Sequence, residues 1–200
     1  MNNKKMITTA KNLDILANVG GKIFGAAGIV CFVIGILTLF LGGKMFTDLS
    51  TTLDLDFIKL HLTDTFYVDE TYIKYYVVLS TLLGGCICFA TYYTSTLLRK
   101  IFAPMKVGRP FEVGASGYLK KIGWIVLVVG FISQFVGMSS RTLLVQAYSI
   151  EKIFVSEAIS GVEFIFTMNF NFVFIALAVF LLSYVFSYGQ VLQQDSDETL

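Results

Sequence analysis

Cys86 and Cys88 stand either side of Ile87, and with Cys31 they are the chain's only thiols. A close thiol pair can cycle a disulfide or share a metal. Both chemistries ordinarily use C-x-x-C, and zinc needs further ligands. Here the spacing is C-x-C, no second pair follows, and all three cysteines fall in apolar runs, where they read as small core residues. The one histidine, His61, sits in an alternating segment without neighbouring ligand types. Ser133 and Gln134 lie midway along another apolar run. A buried amide there seeks a partner across helices, a bond worth about 0.6–2 kcal/mol in model systems, so Gln134 reads as interhelical glue. A coupled transport path would ordinarily bring Asp, Glu or His to that depth, and the apolar runs carry none. No G-x-x-x-x-G-K-[ST], H-E-x-x-H or G-x-S-x-G occurs. The expectation is a non-enzyme with no catalytic, cofactor or metal site.

The chemistry that remains is electrostatic. "MKVGRPFEVGASGYLKKIGW", Met105 to Trp124, carries four of the fifteen Lys and Arg residues between two long apolar runs. Gly108-Arg109-Pro110-Phe111 reads as a turn leading into a short helix, with Pro110 early in it, where a missing N–H costs little. Phe111, Ala115, Tyr118, Leu119 and Ile122 would form its buried side. Lys106, Arg109 and Phe111 sit mid-loop, away from the membrane flanks, and are the candidate docking residues for an acidic partner. A basic surface here also attracts anionic lipid headgroups.

The elements that must position this face are membrane spans. With 56% hydrophobic and 14% charged residues and a mean hydropathy of +0.74, a soluble domain is excluded. Four runs reach the roughly 20 residues a bilayer crossing needs: about 23–43, 75–98, 122–140 and 172–188. The first exceeds a signal peptide's apolar region, and no A-x-A-like site follows it, so it is read as an uncleaved span. Arg99-Lys100 are expected to stop the second span, and Lys120-Lys121 to precede the third. Met6, Ile7, Ala10, Leu13, Leu16 and Ala17 suit an interfacial amphipathic helix before the first span.

Lys and Arg set the orientation. The N-terminal segment and the 99–121 loop hold ten of the fifteen, whereas loops 44–74 and 141–171 hold five, with nine acids. This predicts a multi-pass protein of the cell membrane with N- and C-termini and the 99–121 loop cytoplasmic, and the other two loops extracellular. The whole chain, 1–200, reads as a single integral membrane domain.

Within the spans, Gly123, Gly130 and Gly137 recur every seven residues, which keeps one stripe facing a neighbour. Small residues allow close backbone approach in lipid. Gly21, Gly25 and Gly28, and Ser80 with Gly84, supply similar faces. Packing within the chain is the plain reading of these stripes, and a homodimer seam the sharper one. Outside the spans, "TTLDLDFIKLHLTDTFYV" alternates with period two and slips phase at Phe57-Ile58, while Phe164, Phe166, Met168, Phe170 and Phe172 alternate before the last span. The expected fold is all-α membrane: a four-transmembrane-helix bundle with a small extracellular β-layer from loops one and three. The segment from Arg141 to Ser160 would extend the third span or form a short outer helix. The acidic ending with Asp195, Asp197 and Glu198 could reach back to the basic loop.

The "GRPF" turn before "YLKKIGW", the ending "YGQVLQQDSDETL" with its G-x-x-L-Q-x-x-x-D-x-T-L pattern, the order of spans and the strand-like segment before the last span resemble a bacterial family of four-span membrane proteins of unknown function. The resemblance covers nearly the whole chain. Genes of that family often neighbour a small Cro-type helix-turn-helix regulator, which implies a membrane sensor or regulatory partner with no direct nucleic-acid binding of its own. The family brings no catalytic residues. The composition also suits an immunity-type protein against a membrane-active peptide, or a small transporter or channel subunit. Expected partners are the lipid bilayer, a cytoplasmic regulatory protein and a second copy of the chain.

Overall fold

The structure, a computed structural model, describes residues 3–40, 52–54, 59–61, 68–108, 111, 114–149 and 168–198. Four long helices account for most of them: α1 Asn3–Phe40, α2 Glu70–Met105, α3 Ala115–Ala147 and α4 Asn171–Glu198. α2, α3 and α4 contain the second, third and fourth apolar runs, α1 holds the first as far as Phe40, and each is long and apolar enough to cross a membrane. At 1.5 Å per residue, helices of 38, 36, 33 and 28 residues all exceed the roughly 30 Å hydrocarbon core. Their ends therefore project into the headgroup layers or beyond. Side chains such as Leu37, Phe135, Phe174 and Leu181 are exposed along these helices, as lipid-facing residues are.

Several expectations are corrected at the helix ends. The amphipathic segment and the first span form one continuous helix, α1. Gly20 and Gly21 do not break it, because Gly21 lies against Ser95, where a side chain could not fit without displacement. Arg99 and Lys100 end an apolar run but not a helix. α2 continues to Met105, with Pro104 in its last turn, and closes on Gly108 at φ 85°, a left-handed position suited to glycine. The short helix expected before the third span is, from Ala115 onward, continuous with it. Gly114, at φ 103°, accepts the Tyr118 N–H, and α3 runs unbroken from Ala115 through the third span. The predicted buried side is present on this first part of α3: Ala115, Leu119 and Ile122 are buried. Arg109 and Pro110 lie outside the described residues.

The chain divides into two compact units, each taking parts of several helices. The first comprises Met1–Gly28, Cys86–Ile132 and Asn169–Leu200. Its core is Leu97 and Ile101 of α2 with Leu119 and Ile122 of α3, flanked by Met105, Val179 and Phe186.

The second unit comprises Ile29–Gly85 and Ser133–Met168. Here helix ends are tied by polar contacts. Lys74 Nζ donates to the Leu39 carbonyl at 2.7 Å, satisfying an end carbonyl of α1 and placing a cation at its negative pole. Asp69 caps α2, its carboxylate accepting the Thr71 N–H at 2.9 Å, while its own N–H donates to the Ala147 carbonyl at the end of α3 at 2.9 Å. α3 thus extends the third span as far as Ala147, and residues 150–167 lie outside the described residues.

The alternating first loop holds two short strands, β1 Thr52–Asp54 and β2 Lys59–His61, paired antiparallel with Leu53 opposite Leu60. The phase slip at Phe57-Ile58 falls between them. The expected β-layer joining loop one to loop three is not supported. Phe164 and Phe166 lie outside the described residues, Met168 and Phe170 belong to no strand, and Phe172 is in α4. Local capping explains that helix: Asn169 Oδ1 accepts the Asn171 N–H at 2.9 Å, starting α4 inside what reads as a period-two segment.

Candidate functional site

The polar contacts that could carry function gather in the first unit, around a residue that sequence reasoning missed. Asp14 of α1 lies eight to nine residues before the apolar run begins, about 13 Å along the helix. Its Oδ1 accepts from Arg99 Nε at 3.3 Å, and its Oδ2 accepts from Lys106 Nζ. Arg99 sits on α2 and Lys106 just past its end, so one carboxylate ties two cations of the 99–121 segment to the N-terminal helix. The hydrogen bond from Lys106 is the main cause that holds the Asp14 carboxyl below the usual carboxylate range, with Arg99 adding to it and partial burial opposing it. Two signals in the sequence mark this residue. Asp14 is the only acid before Asp48, among four lysines, and it stands one and two heptads ahead of Gly21 and Gly28 on the face that packs.

Next to this brace, Lys100 Nζ lies 5.5 Å from the Tyr118 ring centroid, within cation–π range. Phe111 is packed rather than displayed. Its ring meets Phe186 edge-on at 5.4 Å and covers Gly189, where a methyl group would sit 2.8 Å from it. Of the three candidate docking residues, then, Lys106 is engaged by Asp14, Phe111 is packed on α4, and Arg109 lies outside the described residues. Lys5, Lys11, Lys22, Lys120 and Lys121 are exposed. The arrangement is a basic surface stiffened from within, suited to binding anions. Among the described residues no group of three or more His, Cys, Asp or Glu could hold a metal.

The candidate packing residues divide. A methyl group on Gly123 would sit 2.6 Å from Phe180 and one on Gly130 2.2 Å from Phe172, whereas one on Gly137 would meet nothing within 4 Å. The first two glycines are sockets for aromatic rings of α4. Gln134 is half-buried on α3. In α2 the close approach is at Gly85, against Phe32, while Gly84 has only the Cys31 sulfur at 3.9 Å. Cys31, Cys86 and Cys88 are free thiols.

Four helices long and apolar enough to span a bilayer define a multi-pass membrane protein. Among such proteins, the chain belongs to the family described as Protein of unknown function (DUF2975), whose model matches residues 62–200. The match includes α2, α3 and α4 and leaves out α1. No curated protein and no solved structure matches the chain.

Proposed function

We propose that this is a non-enzymatic protein of the cell membrane, with both termini cytoplasmic, that serves as a sensor or regulatory partner for a cytoplasmic protein of the helix-turn-helix regulator class. The observation that carries the reading is the Asp14 brace. It joins the lysine-rich start of α1 to the basic segment after α2, so two regions distant in sequence make one positive face. The 10-to-5 split of Lys and Arg puts that face in the cytoplasm. The apolar runs carry no ionisable group, which favours a scaffold for binding over a coupled carrier.

The test is a pull-down of the full-length protein in mild detergent, with partners identified by mass spectrometry. Lys106→Ala with Arg109→Ala should lose a captured cytoplasmic partner, and the loss should shrink at high salt. Asp14→Asn breaks the same brace but leaves the cations, so it should weaken capture, by less than the double variant does. Capture of every partner at wild-type levels by the double variant would end the proposal. Reporter fusions test the orientation: position 64 labelling from outside and position 195 from inside is the expected pattern.

A further inference from the structure

An open groove of about 570 Å³ runs between the start of α3 and the middle of α4 in the first unit. Its lining changes character along its length. At one end stand Ser116 and Lys120 of α3 and Ser187 of α4; at the other, Trp124 and Phe180. Two contacts fix that order. Ser183 Oγ donates to the Ser116 carbonyl at 2.8 Å, and Trp124 meets Phe180 edge-on at 5.8 Å. The floor is open at Gly117, where a methyl group would touch nothing within 4 Å. Lys120 is exposed, and no carboxylate among the described residues pairs with it.

The depth of the groove matches its chemistry. Lys120 precedes the apolar run at Ile122 by two residues, and Trp124 lies about 6 Å deeper along α3. A lysine at the border of the hydrocarbon carries its ammonium into the headgroup layer, and a tryptophan just inside is the usual companion at that level. Trp124 is 56% and Tyr184 74% exposed, so aromatic walls stand open beside the cation. A ligand that fits must put a negative group and hydrogen-bond acceptors against Lys120, Ser116 and Ser187, and a hydrocarbon chain against Trp124 and Phe180. A free anion satisfies only the first half, and a neutral lipid only the second.

We infer that this groove binds an anionic glycerophospholipid of the basic-side leaflet, its phosphate at Lys120 and the adjoining serines, its acyl chain along Trp124 and Phe180. Trp124 is the only tryptophan in the chain, so occupancy has a built-in reporter. The full-length protein is reconstituted in phosphatidylcholine vesicles, and Trp124 quenching is titrated with phosphatidylglycerol or phosphatidylcholine carrying the same dibrominated acyl chains. The wild type should prefer phosphatidylglycerol about fivefold, the factor equivalent to about 1 kcal/mol per basic residue at a membrane surface. Lys120→Gln should bring the preference close to one, while Lys121→Gln should keep it. Gly117→Leu fills the open floor without displacing a neighbour, and should lower quenching by both lipids while the circular dichroism stays that of the wild type. Equal quenching by the two lipids in the wild type, or a preference indifferent to Lys120→Gln, would overturn the inference. Excess inorganic phosphate should leave the preference intact; if it abolishes it, the site takes a free anion and not a lipid.

Discussion

The α1–α2 and α3–α4 contacts both rest on glycines spaced by seven, yet they use them differently. On α1, Gly21 faces Ser95 and Gly28 faces Cys88 in the first unit, while Gly35 faces Thr81 in the second. The partners on α2 also step by seven, in the opposite direction, as an antiparallel pair with a 3.5-residue repeat requires. Small side chains are among the nearest neighbours, with the Phe89 ring equally close to Gly28, and a methyl group on Gly21, Gly28 or Gly35 would stand 3.0, 3.2 or 2.9 Å from its nearest neighbour. On α3, Gly123 and Gly130 instead receive the rings of Phe180 and Phe172, at 2.6 and 2.2 Å from where a methyl group would be. Small-on-small packing brings backbones together and tolerates a slight shift. Ring-in-socket packing fills its space with a rigid group and has little slack. The lesson is that a glycine stripe on its own does not reveal how demanding the contact is.

The largest expected effect follows from the tightest socket. Gly130→Ala should destabilise by about 1–3 kcal/mol through overpacking, seen as a lower melting temperature in detergent. Phe172→Ala in the same chain should return part of that loss, because it removes Cγ and Cδ2, the atoms nearest the added methyl group. If Gly130→Ala melts as the wild type does, the socket picture is wrong. Gly123→Ala should come next, with a smaller drop, since the approach at Phe180 is less close.

Asp14→Asn tests the polar counterpart of these contacts. The three side chains are partly exposed, at 44% for Arg99, 29% for Lys106 and 17% for Asp14, so about 0.2–1 kcal/mol is expected. The lowered carboxyl of Asp14 sets the pH dependence. Its stabilisation is present above the ordinary carboxylate pKa and is lost as pH falls through the lowered value. Wild type and Asp14→Asn should therefore differ at neutral pH and converge well below the ordinary carboxylate range. A gap that persists in acid would show that Asp14 acts through packing and not charge.

Gly137→Ala should have an effect of the opposite sign, no larger than that of Asp14→Asn. A methyl group there meets nothing, and replacing a helical glycine gains up to about 1 kcal/mol. A marked loss of stability at this position would mean that Gly137 has a neighbour in the bilayer, and native gels would show whether it is a second copy.

The four spans and their boundary charges were legible in the sequence, because bilayer crossing demands long apolar runs whatever their neighbours are. So was the buried side of the first part of α3, since Ala115, Leu119 and Ile122 share a helical face however that helix is placed. The lengths of the helices were less so. Arg99-Lys100 read as a stop by residue type, but a backbone that is hydrogen-bonded continues through such charges when packing allows it. The aromatic alternation before the last span read as strand, and Asn169 turned its end into a helix start.

Which residues meet was decided by tertiary structure alone. Phe172 and Phe180 are two of nineteen phenylalanines, and only the antiparallel register of α4 on α3 selects them for the glycine sockets. Asp14 is one acid in a basic segment until the rotation of α1 points it at Arg99 and Lys106. A helix face can be read from spacing, because 3.6 residues per turn is a property of one chain segment. The partner of that face depends on the relative rotation and offset of two helices, which no single segment encodes.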